Sequence, residues 1–300
     1  MKVDVAVAVH GKPWQTASTL FSLIEHSGQH IDKIWFHEEP KHVNDDGVDF
    51  LLPWFSDRLV HFKPPLFLGY EKLTPQIMRS VRNDPDYRRS IRYQIPFEDT
   101  EKQFLFLCHN DTFFTGDVIG EMLRRLMNSP YAGIGMVGQC WNCPAHAADL
   151  CDGARHESFN PTYAEAIALI KRFPTARTRA SHVSRWKKVI MPECRLNEFA
   201  CILDLAKCRP LVIPNGDVAP PGLFAEDTGT KFWQDMRRIG QRFLHYPDHF
   251  IHAKFSPIAS GYALEAASQI DNYRRSEDEA RRYCIEHYAD RMKSRAPALS

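Results

Sequence analysis

The stretch Phe104-Leu105-Phe106-Leu107-Cys108-His109-Asn110-Asp111-Thr112-Phe113-Phe114-Thr115-Gly116-Asp117-Val118-Ile119 decides how this chain is read. Its first five residues are an apolar run of the kind that forms a buried strand, and His109-Asn110-Asp111 ends it. In extended backbone, side chains at i and i+2 point to one side, so His109 and Asp111 can converge while Asn110 turns away. Such a pair suits a divalent cation at a sheet edge. The same residue types also favour the turn that closes any strand, so the tripeptide alone fits both a metal site and a plain turn.

Before this stretch, residues 3–9 form a nearly continuous β-branched run that stops at His10-Gly11-Lys12-Pro13. Leu20, Phe21, Leu23 and Ile24 predict a helix over 16–25, and a strand follows over 31–36, ahead of His37-Glu38-Glu39-Pro40. Further strands are expected over 58–62 and 103–107, with helices over 75–81 and 87–93. This alternation predicts an α/β fold with a mainly parallel sheet flanked by helices. Ligands of such sheets sit at the carboxyl ends of strands, where His10, Glu38, Glu39, His109 and Asp111 would share one crevice.

After it, residues 118–126 pattern as an amphipathic helix and 132–138 as a strand. An irregular, cysteine- and proline-containing segment then runs over 139–160, followed by a helix over 163–171 and renewed regular structure over 196–207. Residues 210–229, with Pro214, Pro220 and Pro221, read as a loop-rich region of the kind that carries function. A helix is expected over 231–243, and a charged amphipathic one over 276–293.

Three hundred residues, 44% of them hydrophobic, are enough for a substantial core. Thirty-eight Lys and Arg against 37 Asp and Glu leave a formal charge of +1, so no global field favours a polyanionic partner. No apolar run approaches the roughly 18 residues that span a bilayer. Met1-Lys2-Val3-Asp4 leads straight into a strand, unlike a signal sequence, so the expected compartment is the cytoplasm.

The order of these parts resembles the GT-A fold of nucleotide-sugar-dependent glycosyltransferases, particularly the family 2-like group. In that family an apolar strand ends in Asp-x-Asp; here the motif reads His109-Asn110-Asp111, so its last aspartate matches and its first does not. The resemblance implies that Asp111 and His109 hold Mn2+ or Mg2+ against the two phosphates of a sugar nucleotide, neutralising charge on the departing diphosphate. Imidazole at 109 shifts the preference from magnesium toward manganese or zinc. It further implies that Glu38, Glu39 and His10 face the nucleotide. Asp227, with Glu226 beside it, matches the acceptor-side general base. His252, then His249, would complete the metal shell. Glu38-Glu39-Pro40 also fits a solvated turn, and Asp227-Thr228 also fits a cap for the next helix. The expected domains are a catalytic one over 1–264 and a helical tail over 265–300. Within the first, 1–130 is the nucleotide half and 131–264 the acceptor half, with a zinc-knit loop over 139–195. The donor is a nucleotide sugar; the acceptor class, saccharide, lipid-linked or protein, is open.

Cys140-Trp141-Asn142-Cys143 is a C-x-x-C pair followed by Cys151 and Cys194, a set able to close a structural zinc site, with His146 and His156 as substitute ligands. A redox pair, disulfides or plain buried thiols fit the same residues. Lys171, Arg172, Arg177, Arg179, Arg185, Lys187 and Lys188, interleaved with Phe173 and Trp186, fit an anionic acceptor, the donor pyrophosphate or a solvated helix face. Two rival functions remain: a nucleic-acid-binding module built on 171–188, which the near-zero net charge opposes, and a metal-dependent hydrolase using His109, Asp111 and the late histidines.

Overall fold

A computed structural model describes residues 1–40, 44, 47–68, 73–175, 178–255 and 269–293. Its strands are β1 (Val3–Val9), β2 (Ile31–Glu38), β3 (Leu59–Phe62), β4 (Phe104–His109), β5 (Thr112–Phe114), β6 (Gly133–Val137), β7 (Leu196–Asp204), β8 (Phe224–Ala225), β9 (Asp227–Thr228), β10 (Phe243–His245) and β11 (Phe250–His252). The helices are α1 (Pro13–Ser27), α2 (Pro75–Asn83), α3 (Pro85–Arg89), α4 (Gln94–Asp99), α5 (Val118–Leu126), α6 (Pro144–Ala147), α7 (Tyr163–Arg172), α8 (Leu205–Cys208), α9 (Thr230–Arg238) and α10 (Ile270–Lys293).

Seven strands form one sheet in the order β10-β6-β7-β4-β1-β2-β3. It is mainly parallel, as expected, and β7 alone runs against its neighbours β4 and β6. The apolar runs are continuous because both faces are covered. Val3, Val5, Val7 and Val9 pack with Leu20 of α1, Met122 of α5 and Tyr288 of α10; Ala6 and Ala8 pack with Phe97 of α4, Leu205 of α8 and Trp233 of α9. Each fully buried Val, Leu or Phe contributes about 1.5–3 kcal/mol over its exposed state.

Three local expectations change. The helix expected over 87–93 is two short helices, α3 and α4, broken between residues 90 and 93. Pro85 and Pro96 are tolerated only in a helix's first turn, so each marks a new start. The helix expected over 231–243 stops at Arg238. Gly240, at φ 85°, turns the chain out, and Phe243 enters the sheet beside Gly133. The C-terminal helix begins at Ile270, six residues before the expected start.

That helix is bound into the fold. Cys284 and Tyr288 belong to the main core, and Glu277 accepts hydrogen bonds from Trp14 N (2.8 Å), Gln15 N (3.4 Å) and Gln15 Nε2 (3.0 Å). Because α1 has no capping side chain of its own, Glu277 serves its exposed N–H groups from 263 residues away. The boundary expected at residue 264 lies outside the described residues. No helix among them is long and apolar enough to cross a membrane.

Candidate metal centre

The parallel strands β1, β2 and β4 end at one edge, and β1 and β4 are neighbours although β2 follows β1 in sequence. This is the topological switch point where open α/β sheets bind ligands. Beyond β1, Gly11 (φ 68°) and Lys12 (φ 58°) both take left-handed conformations before Pro13 opens α1. Strain at a non-glycine residue persists only where neighbours hold it. Here Lys12 N donates to Tyr273 Oη (2.8 Å), and Lys12 Nζ pairs with Asp111 Oδ2 (2.7 Å).

Beyond β4, Asn110 turns away from the site, as expected, and its Nδ2 donates to Gly11 O (2.8 Å) and Thr16 Oγ1 (2.9 Å), fastening this turn to the first. The chain then enters β5, which pairs antiparallel with β11 so that His252 lies opposite Thr112. Ala253 N donates to Asp111 O (2.9 Å), and His252 arrives beside Asp111. His252 Nε2 lies 3.4 Å from both Asp111 Oδ1 and His109 Nδ1, and those two atoms are 3.9 Å apart. Among the described residues, this is the one group of three or more His, Cys, Asp or Glu ligand atoms within 4.8 Å of one another.

A cation fits this donor set. Asp111 Oδ1 is buried without a hydrogen-bond donor and faces two ring nitrogens, the arrangement a positive ion resolves. Two imidazoles and a carboxylate favour manganese, zinc or iron over magnesium. Burial opposes ionisation of Asp111, yet Lys12, then His252 and His109, hold its carboxyl well below the usual carboxylate range.

The residue that sequence reasoning missed is Glu198, buried in the middle of β7. Its Oε1 lies 3.1 Å from His109 Nε2. Burial pushes against its ionisation, but Arg195 and His109 hold the Glu198 carboxyl down to about 2. A carboxylate only accepts, so His109 Nε2 carries the proton and Nδ1 turns its lone pair toward Asp111 and His252. One signal was legible: Glu198 is the one acid in Leu196-Asn197-Glu198-Phe199-Ala200-Cys201-Ile202-Leu203, and a carboxylate inside a buried strand requires a partner.

Arg195 continues the network, lying 3.9 Å from Glu198 Oε2 and 2.5 Å from Asp227 Oδ2. Asp227 therefore does not cap α9, whose N-terminus is Gly229 with no side-chain cap. Glu226 faces solvent and pairs with His182 (3.3 Å). Gly229, at φ 76°, brings this loop close to Glu198: a Cβ there would stand 4.0 Å from Glu198 Oε2.

The remaining expected residues lie at the same strand edge but outside the triad. Glu39 pairs with Arg92 (2.7 Å); burial opposes its ionisation, and Arg92 with His37 nonetheless lowers its carboxyl. The pair borders a small crevice that Tyr87, Leu223, Phe224 and Thr228 also line, next to the Asp227 loop. Glu38 pairs with His61 (2.6 Å) and Lys63 (2.9 Å), and His10 stacks on Phe67. Neither glutamate is the solvated turn residue that the sequence also allowed, since both are buried. His249 does not join the metal group: its ring packs over Gly116 and its carbonyl accepts from Thr115 N (3.0 Å). The basic stretch is not one helix face, because α7 ends at Arg172 and, among the described residues up to 188, the single turn 180–182 is the one helical element that follows. Trp186 there is 86% exposed, and Arg177 lies outside the described residues.

No protein-family model matches the sequence, and no curated protein matches it. Solved structures similar in fold include the mannosyltransferase PcManGT from Pyrobaculum calidifontis in complex with GDP-Man and Mn2+. It shows 10% identity and a TM-score of 0.49 over 94% of this chain and 64% of its own. Glucosyl-3-phosphoglycerate synthase from Mycobacterium tuberculosis, in complex with Mn2+, UDP and phosphoglyceric acid, matches at 10% identity and TM-score 0.44 over 92% of this chain and 78% of its own. Mouse xyloside xylosyltransferase 1 matches at 13% and 0.45 over 82% and 85%. The chain thus spans less than two thirds of the mannosyltransferase's length. At 10–13% identity and TM-scores below 0.5, these likenesses carry no statement about this chain's chemistry.

Proposed function

We propose that the chain is a metal-dependent glycosyltransferase that moves a sugar from a nucleoside-diphosphate donor to an acceptor. The observation that carries this reading is the convergence of His109, Asp111 and His252 at the switch point of a mainly parallel sheet. The neighbouring crevice bordered by Glu39 and Arg92 supports it. His109, Asp111 and His252 would hold Mn2+, which when bound neutralises negative charge on a departing diphosphate. Lys12 keeps Asp111 ionised and oriented, and Glu198 fixes the tautomer of His109. Glu39, Arg92 and His10 are the residues this reading assigns to the nucleoside. Asp227, oriented by Arg195, is the carboxylate assigned to accept the acceptor hydroxyl's proton, with Glu226 next to it.

Calorimetry with a panel of nucleoside diphosphates, with and without Mn2+, tests this reading. Binding that requires the metal supports it. Metal binding without affinity for any nucleotide overturns it and favours a hydrolase that works through metal-bound water. Salt-sensitive binding of single-stranded nucleic acid in its place identifies the 171–188 segment as the functional surface.

A further inference from the structure

Four of the eight cysteines meet outside the site just described. Cys140 opens a single helical turn that Cys143 N closes by donating to Cys140 O (3.0 Å). Cys143 and Cys151 are buried in a small core of their own with Val183, Val189 and Met191, and Cys194 packs against it. The strand leading to Cys140 is pinned beside the Cys194 turn by Gly138 N to Arg195 O (2.7 Å) and Gln139 N to Glu193 O (2.9 Å).

We propose that Cys140, Cys143, Cys151 and Cys194 bind one structural zinc ion that fastens the 139–160 segment to the turn ahead of β7. All four thiols are free. The C-x-x-C turn and the Cys194 turn are thus held against one small core that contains Cys143 and Cys151. Zinc takes four thiolates at about 2.3 Å in a closed tetrahedral shell, each thiol losing its proton to solvent. No three of the sulfurs lie within 4.8 Å of one another, so binding draws them inward. Rotation of the cysteine side chains about their Cα–Cβ bonds, with movement of residues 151–162, which form neither helix nor strand, is what brings them together. Three other cysteines do not form a comparable set: Cys108 faces the core on one side of the sheet, whereas Cys201 and Cys208 face the core on the other.

The position matters for the metal centre as well, because Cys194 directly precedes Arg195, the partner of Asp227 and Glu198. His146 and His156 are not needed as substitutes; their Nδ1 atoms sit at the carbonyls of Cys151 (3.2 Å) and Gly153 (2.7 Å).

The test is zinc content and X-ray absorption of the full chain, purified from zinc-supplemented medium. One zinc per chain with an all-sulfur shell at about 2.3 Å is expected. It should be absent from the Cys143→Ser, Cys194→Ser double variant and retained by Cys284→Ser. Zinc-free wild type, retention of sulfur-bound zinc by the double variant, or a nitrogen and oxygen shell would each overturn the proposal; the last would place the ion at His109, Asp111 and His252. If the double variant fails to fold, the wild-type spectrum alone decides.

Discussion

Replacing Glu198 by alanine isolates the role of the buried carboxylate behind the metal site. Glu198 Oε1 accepts the proton on His109 Nε2 at 3.1 Å, so its loss removes the group that fixes the imidazole's tautomer and orientation. Outer-shell partners of this kind are worth about 10–100-fold in metal affinity, or roughly 1.4–2.7 kcal/mol. Arg195 keeps its 2.5 Å partner Asp227 in the variant, so no buried guanidinium is left unpaired and the fold should persist. Glu198→Gln is the informative companion. Its amide oxygen still accepts from Nε2 but carries no charge, and it should retain part of the affinity. The assay is Mn2+ titration by calorimetry, with urea unfolding as a control for the fold. The expected order is wild type, then glutamine, then alanine. A folded Glu198→Ala protein that binds Mn2+ within twofold of wild type would refute the second-shell role.

Asp111→Ala should weaken Mn2+ binding beyond the roughly 100-fold of an outer-shell change and abolish transfer while circular dichroism stays native; retained turnover would sink the assignment. Asn110→Ala removes the bonds to Gly11 O and Thr16 Oγ1 and should lower unfolding free energy by about 2–3 kcal/mol in urea, a change below 0.5 kcal/mol contradicting the role of that turn. Glu277 gives a pH signature, since burial raises its carboxyl from 4.5 to about 7 in the fold. The folded state then binds more protons, so its contribution is fully present below about pH 4.5 and is lost as pH rises through about 7, by roughly 3 kcal/mol. Wild-type stability minus that of Glu277→Gln should fall across this window, and a flat difference would show that Glu277 does not titrate there.

The sheet edge was legible because β1 and β4 are buried on both faces and so carry long apolar runs. Each ends in residues that cannot continue a strand: His10-Gly11-Lys12-Pro13 and His109-Asn110-Asp111. The 118–126 helix was equally legible, with Asp117 capping it through Gly120 N. The closing of the site was not legible in the residue pattern, and His252 entered only through the family resemblance. β5 and β11 are three residues each, too short to show a period, yet their pairing delivers His252 to Asp111 across 141 positions. Glu198 is 89 residues from His109, and the antiparallel placement of β7 against β4 that joins them is a tertiary choice. Lys12 likewise reads as one more charged residue until the turn at Gly11 brings it onto Asp111.

Charge around the centre explains why a cation and a diphosphate would arrive together. Asp111, Glu198 and Asp227 contribute three negative charges, and Lys12 and Arg195 contribute two positive ones, each within 4 Å of a carboxylate it serves. With neutral imidazoles the group carries a net charge of −1, which a divalent cation turns to +1. A diphosphate offered to the bare site meets repulsion, whereas the loaded site attracts it, and the low dielectric of a partly buried edge strengthens both effects. Glu39 and Arg92 cancel one another and leave that balance unchanged. Holding the positive side of this balance falls partly to the C-terminal helix, because Tyr273 fixes the backbone of Lys12 and Glu277 the turn of α1 that follows it. The helix expected to be a tail is, on this reading, the part of the chain that keeps Lys12 aimed at Asp111.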